Sequence, residues 1–476
     1  MQNDTIAAIA TPPGVGGIGV IRISGQDAFS LVLPLLRRPG GQTALPPLHR
    51  LTYGHIVDPQ SQEVLDEVLV AFMRAPHTYT AEDVVEIQGH GGPLVLHRIL
   101  RTVLAQGARM ANPGEFTLRA FLNGRLDLAQ AEAVMDLIES QTEAGQRLAM
   151  QQLRGRLSAQ MQEVRSSILE VIARIEVSID FPEEDVPTPQ PEELRPLIAG
   201  ALQQVAALLA GAEQGRLYRQ GLRTAIIGRP NVGKSSLLNA LLRTERAIVT
   251  PIAGTTRDTV EEVVNLRGIP LHLIDTAGIT PSDDPIEQIG VLRSRVAAES
   301  ADVVLHVFNG AEPLTELDRR ICTELWTMGF GSSTQDSSSY TGHRRPVIVV
   351  VNKSDCEQRI AIEELCMLWP SASLIHTSVL TGMGLSRLEE SIADLVSSGK
   401  TLPQESVLVT SVRHQDALRS TAEHLRAAMA SLEQRLALDF VSIDLRAAYN
   451  VLGEVTGETA SDDLLDTIFS KFCIGK

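Results

Sequence analysis

Hydrophobic and polar positions change period along the chain, and the changes divide it into distinct regimes. At the start, short β-rich runs (Gly19–Ile23, Val68–Phe72, Val84–Ile87) alternate with glycine and proline turns, and one amphipathic helix is predicted over Leu94–Leu104. That mixture predicts a compact α+β domain over residues 1–122. From Asp127 the pattern turns helical. Leu157, Met161, Val164, Ile168, Val171, Ile175 and Ile179 recur every three or four residues, the single apolar face of a long helix. Pro182 and the acidic, proline-rich "FPEEDVPTPQPEE" stop it, and a second helix is predicted from about Leu194 to Leu217. Near the other end, Leu418, Ala422, Leu425, Met429, Leu432 and Leu436 repeat the helical spacing.

Between the helical stretches, over 219–399, apolar runs (Thr224–Ile227, Leu271–Ile274, Val303–Val307, Val347–Val351) alternate with helical segments. This is the βαβ rhythm of a parallel sheet covered on both faces. The arrangement predicts a multidomain α/β chain: an α+β domain, then an all-α helical domain in two parts (123–218 and 400–476) into which an α/β domain (219–399) is inserted. Two separate helical segments are the simpler alternative. The polar "GFGSSTQDSSSYTGHRR" at 329–345 reads as a surface insertion of low complexity.

Composition narrows the classes. The 476 residues are 43% hydrophobic and 21% charged, with no evident apolar run near the ~20 residues of a membrane span. The opening "MQNDTIAAIATPPG" lacks a secretory signal, and four cysteines without CxxC spacing predict a reducing cytoplasm rather than disulfides or zinc. A net charge of −16 repels nucleic acid on average, so any RNA contact needs a local basic patch or a partner protein.

Chemistry concentrates in the central block. "TAIIGRPNVGKSSLLNALL" reads as strand, glycine loop and helix, with Gly228–Ser235 fitting GxxxxGK[ST]. Asn231, Val232, Gly233, Lys234, Ser235 and Ser236 would surround phosphates, with Lys234 on the terminal groups and the Ser235 hydroxyl on Mg²⁺. "TPIAGTTRD" adds Thr250, Pro251, Ile252, Ala253, Gly254, Thr255 and Thr256, the last placed to complete the Mg²⁺ shell. "DTAG" (Asp275, Thr276, Ala277, Gly278) has the form of a γ-phosphate sensor. "NKSD" (Asn352, Lys353, Asp355) follows the strand "VIVVV". Its carboxylate can accept from two guanine N–H groups that adenine does not offer. Ser378, in "HTSVLTGMG", is a weaker base-contact element, because Val379 stands where alanine is usual. Together these predict GTP hydrolysis. Ile279, however, occupies the region where simpler switches carry a water-orienting glutamine.

These motifs closely resemble the MnmE (TrmE) family of tRNA modification GTPases. The likeness rests also on "DTIAAIATPPGVGGIGVIRISG", "EIQGHGGP", "NPGEFTLRAFLNGRLDLAQAEAV" and the terminal "FCIGK", and covers all but the 329–345 insertion. The resemblance implies a potassium ion held by Asn231 with oxygens of Thr250, Ile252 and Thr255, and a catalytic glutamate, Glu287, that positions water. It implies a homodimer whose G domains meet across their nucleotides. It implies a first domain similar to the tetrahydrofolate module of aminomethyltransferases, with 5-formyl- or 5,10-methylene-tetrahydrofolate against Arg22, Glu86, Arg125 and Lys476. Arg125 stands where lysine is frequent, and Thr280 where arginine is frequent. Cys473 would lie near the folate, against the residue-level reading of a small buried hydrophobe. The family works with the FAD-dependent flavoprotein MnmG, as a heterotetramer, on the wobble uridine of tRNA. A ribosome-assembly switch of the Era or Der type is the rival reading, since it uses the same GTP elements.

Overall fold

A computed structural model describes residues 4–180, 189–244, 261–274, 295–331, 345–397 and 408–476. The chain forms two compact units. One comprises Met1–Met135, Gln151–Gln204 and Ala417–Lys476, the other Asp136–Met150 and Val205–Asp416.

The first unit holds seven strands: β1 (Ile6–Ile9), β2 (Ile18–Ser24), β3 (Leu36–Arg37), β4 (Leu51–Val57), β5 (Val64–Met73), β6 (Val84–His90) and β7 (Arg109–Met110). Their order is β3-β4-β5-β6-β2-β1-β7, antiparallel except at the β1–β7 pair. Period-two alternation turns one face inward. Ile21, Ile23, Val68, Val70, Phe72, Val85 and Ile87 are buried in one cluster with Leu96, Ile99, Leu100 and Val103 of the helix Pro93–Ala105. The intervening residues Arg22 and Glu86 therefore point to the other face, and the β2–β6 register sets them directly opposite each other.

The helical part of this unit follows the 3.6-residue period. Leu157, Met161, Val164, Ile168, Val171 and Ile175 of the helix Arg156–Asp180 are buried, and the helix packs on Leu438–Thr456. Ile179, expected on the same stripe, is 40% exposed in the last turn. An Arg195–Glu433 ion pair of 2.7 Å joins residues 238 apart, so segments before and after the central block share one body. The second predicted helix is two, Pro191–Ala210 and Ala212–Gln220, interrupted at Gly211. On the helix Val412–Glu433 the buried position after Leu425 is Ala428 rather than Met429, and Leu436 lies exposed past the helix end.

Pro191–Gln220 has the length and hydropathy of a membrane span, contrary to the sequence expectation. Its Leu194, Ile198 and Ala201 are nevertheless buried at helical spacing, with Glu192 and Glu193 in the first turn, the pattern of a packing helix.

The second unit carries β8 (Leu222–Ile227), β9 (Glu261–Leu266), β10 (Ile269–Ile274), β11 (Val303–Asn309), β12 (Val347–Asn352) and β13 (Ser373–His376), in the order β13-β12-β11-β8-β10-β9. The sheet is not wholly parallel as predicted: the edge strand β9 runs antiparallel to β10, joined by the tight turn at Arg267 and Gly268. The other pairs are parallel, and β11 and β12 are buried at every residue, as strands covered on both faces must be. Connections leave β8 toward β10 on one side and β11 on the other. A crevice therefore opens at its carboxyl end, where open α/β sheets bind ligands.

The insertion read over 329–345 is shorter than the sequence suggests. Phe330 is fully buried, and the Gly331 N–H donates to the Arg345 carbonyl at 2.9 Å. The Arg345 guanidinium lies 4.0 Å from the Phe330 ring centroid and donates to the carbonyls of Ala298, Glu299 and Ala301. Both ends thus belong to the core, and 332–344 lie outside the described residues.

Candidate functional site

The glycine loop stands in that crevice, between β8 and the helix Lys234–Thr244. Its path requires unusual backbone: Asn231 has φ 62° and Gly233 has φ 101°. Gly228 passes so close to β11 that a Cβ would collide with the Val307 carbonyl. Lys234 Nζ donates to the loop carbonyls of Gly228 (2.8 Å) and Arg229 (2.9 Å), which holds the ammonium across the loop's own curve. Val232 is fully buried, while Asn231, Ser235 and Ser236 are exposed. Arg229, which the sequence did not single out, ion-pairs with Glu312 and at 3.3 Å with Asp318, whose carboxylate also caps the helix Glu316–Thr327. The loop is therefore braced from the side.

The base-reading elements are at the carboxyl ends of β12 and β13. Asn352 is 3% exposed, and its Nδ2 donates to the Val232 carbonyl at 3.0 Å, tying "NKSD" to the phosphate loop. A Cβ at Gly233 would strike that same amide nitrogen. Ser378 Oγ donates to Asp355 Oδ1 at 2.6 Å, and this bond holds the Asp355 carboxyl below its usual range. Asp355 is thus an ionised acceptor with one oxygen already fixed in place. The Ser378–Val379 departure leaves this contact intact. Lys353 takes φ 61°, and Gln358 Nε2 donates to its carbonyl at 3.1 Å.

Thr250, Pro251, Ile252, Ala253, Gly254, Thr255 and Thr256 lie outside the described residues, as do Asp275, Thr276, Ala277, Gly278, Thr280 and Glu287. The first group follows the glycine-loop helix in sequence, and Asp275 follows β10 directly. No cluster of three or more His, Cys, Asp or Glu side chains capable of holding a metal occurs among the described residues. Exposed oxygen donors at the loop include the Ser235 and Ser236 hydroxyls and the Asn231 amide oxygen, hard ligands of the kind Mg²⁺ takes beside phosphate oxygens.

In the first unit, Arg22, Arg125 and Lys476 come together around one aromatic ring, and Arg22 holds Glu86 beside them. Arg22 donates through Nε to Glu86 Oε1 at 2.9 Å, and its Nη2 lies 2.9 Å from the same oxygen. Its Nη1 donates to the Gly475 carbonyl at 3.3 Å, which brings the "FCIGK" segment to the sheet face. The ring is that of Tyr79, which carries no chemical cue in the sequence. It lies 5.0 Å from the Arg22 guanidinium carbon, 5.1 Å from that of Arg125 and 5.7 Å from Lys476 Nζ. Burial pushes the Lys476 ammonium below its usual pKa, and the Arg22 charge adds to the effect. Cys473 is exposed, contrary to the buried-hydrophobe reading; the buried neighbour is Phe472. Its carbonyl accepts from Lys476 N–H at 3.3 Å.

Behind this site lies an ion network that the sequence reading missed. Arg119, 9% exposed, bridges Asp4 (2.7 Å), Glu115 (3.1 Å) and Glu82 (3.2 Å), and Arg109 closes the ring on Asp4 and Glu115. Its members are scattered along the sequence, so only the fold reveals them.

Comparison with known proteins covers the whole chain. The model described as "MnmE helical domain" matches residues 128–473, and that described as "GTP-binding protein TrmE N-terminus" matches 5–125. The chain is 47% identical to the tRNA modification GTPase MnmE of Geobacillus thermodenitrificans, over 100% of both chains. It is 50% identical to that of Chloroflexus aurantiacus, again over 100% of both. Among solved structures, Aquifex aeolicus Era bound to GDP·AlF4⁻ shares 29% identity, covering 42% of this chain and 65% of that one at a TM-score of 0.27.

Proposed function

The chain belongs to the tRNA modification GTPase MnmE family, and from this premise we propose that it couples GTP hydrolysis to modification of carbon 5 of the wobble uridine in certain tRNAs. The chain is a GTPase, hydrolysing GTP with water to GDP and phosphate. The aminomethyl or carboxymethylaminomethyl group would be installed together with the flavoprotein MnmG in a heterotetramer, with FAD on the partner and a reduced folate as one-carbon source. The negative charge of this chain suits that division, because the partner can supply most of the cationic tRNA surface. The setting is cytoplasmic.

At the nucleotide, Asp355, fixed by Ser378, accepts the guanine N–H pair, and Asn352 keeps the base-reading strand end joined to the glycine loop. Lys234, Ser236 and the loop amides from Asn231 to Ser235 would hold phosphate oxygens, with residues 250–256 as further nucleotide contacts. Ser235 and Thr256 would hold Mg²⁺; Asn231, with Thr250, Ile252 and Thr255, would hold K⁺. When bound, the two ions offset the negative charge that develops on the phosphates. Gly278 follows the terminal phosphate, and Glu287 orients the water in place of a glutamine.

One observation carries the modification reading over a docking switch of the Era type: Arg22, Glu86, Arg125 and Lys476 converge on one sheet face in a unit that nucleotide binding does not need. Glu86 can accept from a pterin's amino-pyrimidine edge, while Arg125 and Lys476 suit a glutamyl tail. The GTPase mechanism is tested by turnover in potassium against sodium, with and without Glu287→Ala. Turnover should be faster in potassium and collapse in the variant. Equal rates in both salts would count against the ion, and a fully active variant against the glutamate.

A further inference from the structure

Three cations converge on the folate-like site, and the Glu86 carboxylate beside them is engaged by Arg22. Like charges gathered round one ring repel unless a group they share is attractive to all of them. The Tyr79 ring meets that need, since a π face attracts cations within about 6 Å of its centroid.

Tyr79 is itself immobilised from several directions. Its hydroxyl bonds Thr117 Oγ1 at 2.8 Å, and its ring packs on the buried cluster of Ile6, Ala8, Ala111 and Phe116. Its backbone carbonyl accepts from Arg125 Nη1 at 2.7 Å, and the next carbonyl, of Thr80, accepts from Asn123 Nδ2 at 2.7 Å. Thr80 Oγ1 meets Ser24 Oγ at 2.6 Å, and Ser24 in turn donates to Glu82, a member of the Arg119 network. The ion network behind the site thus ends in the loop that presents this ring.

We infer that Tyr79 is a positioning residue of this site, its ring the shared anchor that holds Arg22, Arg125 and Lys476 together for a dianionic folate. The inference rests on the folate reading above. Arg22 is spent on Glu86 and Gly475, which leaves Arg125 and Lys476 as the two charges facing the two carboxylates of a glutamyl end. Tyr79 need not touch the ligand; it keeps those two charges where the ligand meets them.

The test replaces Tyr79 in the full chain by phenylalanine and by mono-, di- and trifluorophenylalanine, and measures 5-formyltetrahydrofolate binding by calorimetry. Fluorination drains the π face with little change of shape, so packing alone would not respond. Tyr79→Phe should bind within about threefold of wild type, and affinity should fall stepwise to about tenfold weaker at three fluorines. Tyr79→Leu should be at least as weak as the trifluoro variant. A flat series with wild type still binding overturns the inference and leaves the folate reading standing. Wild-type protein that takes up no 5-formyltetrahydrofolate overturns both.

Discussion

The nucleotide site and the folate-like site solve the problem of holding a charged ligand in opposite ways. The first is built from short contiguous motifs at the carboxyl ends of neighbouring strands, and its key feature is backbone: left-handed Asn231, Gly233 and Lys353, and a glycine pressed against β11. The second is built from side chains that meet only after folding, with Arg22 and Gly475 separated by 453 positions. A site made of backbone advertises itself through glycine spacing. A site made of distant side chains leaves no local pattern.

The comparison can be broken at several points, and the largest effect is expected at the phosphates. Lys234→Ala should lower single-turnover GTP hydrolysis by about 10²–10³-fold, as removal of a preorganised charge donor does; a loss under tenfold would mean that the loop amides suffice. At the side-chain site, Lys476→Gln should weaken 5-formyltetrahydrofolate about tenfold, the scale of one charge-assisted hydrogen bond, read by the same calorimetry.

A third measurement probes the core beneath the nucleotide crevice. His306 is fully buried against Phe308 and Trp369, and burial lowers its pKa from 6.5 to about 3. Between those values the unfolded chain binds a proton that the native state refuses, so stability should fall as pH drops from about 6.5 toward 3, by up to ~1.4 kcal/mol per pH unit. Urea midpoints at pH 7 and pH 5 should differ in wild type, and the difference should shrink in His306→Phe. Equal slopes in the two proteins would assign the acid sensitivity elsewhere. The smallest effect belongs to Ser378→Ala, which frees one oxygen of Asp355: GTP affinity should drop severalfold, about 1 kcal/mol, in a nucleotide titration.

Much of this was legible in the sequence. Period-two and period-3.6 patterns located β2, β5, β6, β8, β10, β11 and β12 and the long helix Arg156–Asp180, because each has one or two faces committed to a core. What escaped was decided by tertiary context. β9, with the sequence EEVVNL, sets only Val263 and Val264 side by side between polar residues, too short an apolar run to mark a strand. Gly211 ended a helix inside an unbroken periodic pattern, and Phe330 and Arg345 belonged to the core although their neighbours in sequence are polar. Within the sites, glycine spacing pointed to Lys234 directly, and the "NKSD" stretch after a strand pointed to Asn352. Arg22 and Glu86 needed the family likeness, and Tyr79 and Arg119 had no signal except the fold.

The bond from Asn352 to the Val232 carbonyl has a thermodynamic corollary. Seating a nucleobase at the "NKSD" side of that amide and oxyanions at the glycine-loop side perturbs a single shared contact, so the two halves of the ligand must report on each other. By linkage, whatever factor a triphosphate adds to the grip on guanosine, guanosine returns to the triphosphate. Severing the amide should therefore erode the reciprocity itself, making the molecule a poorer judge of whole nucleotides than of their fragments.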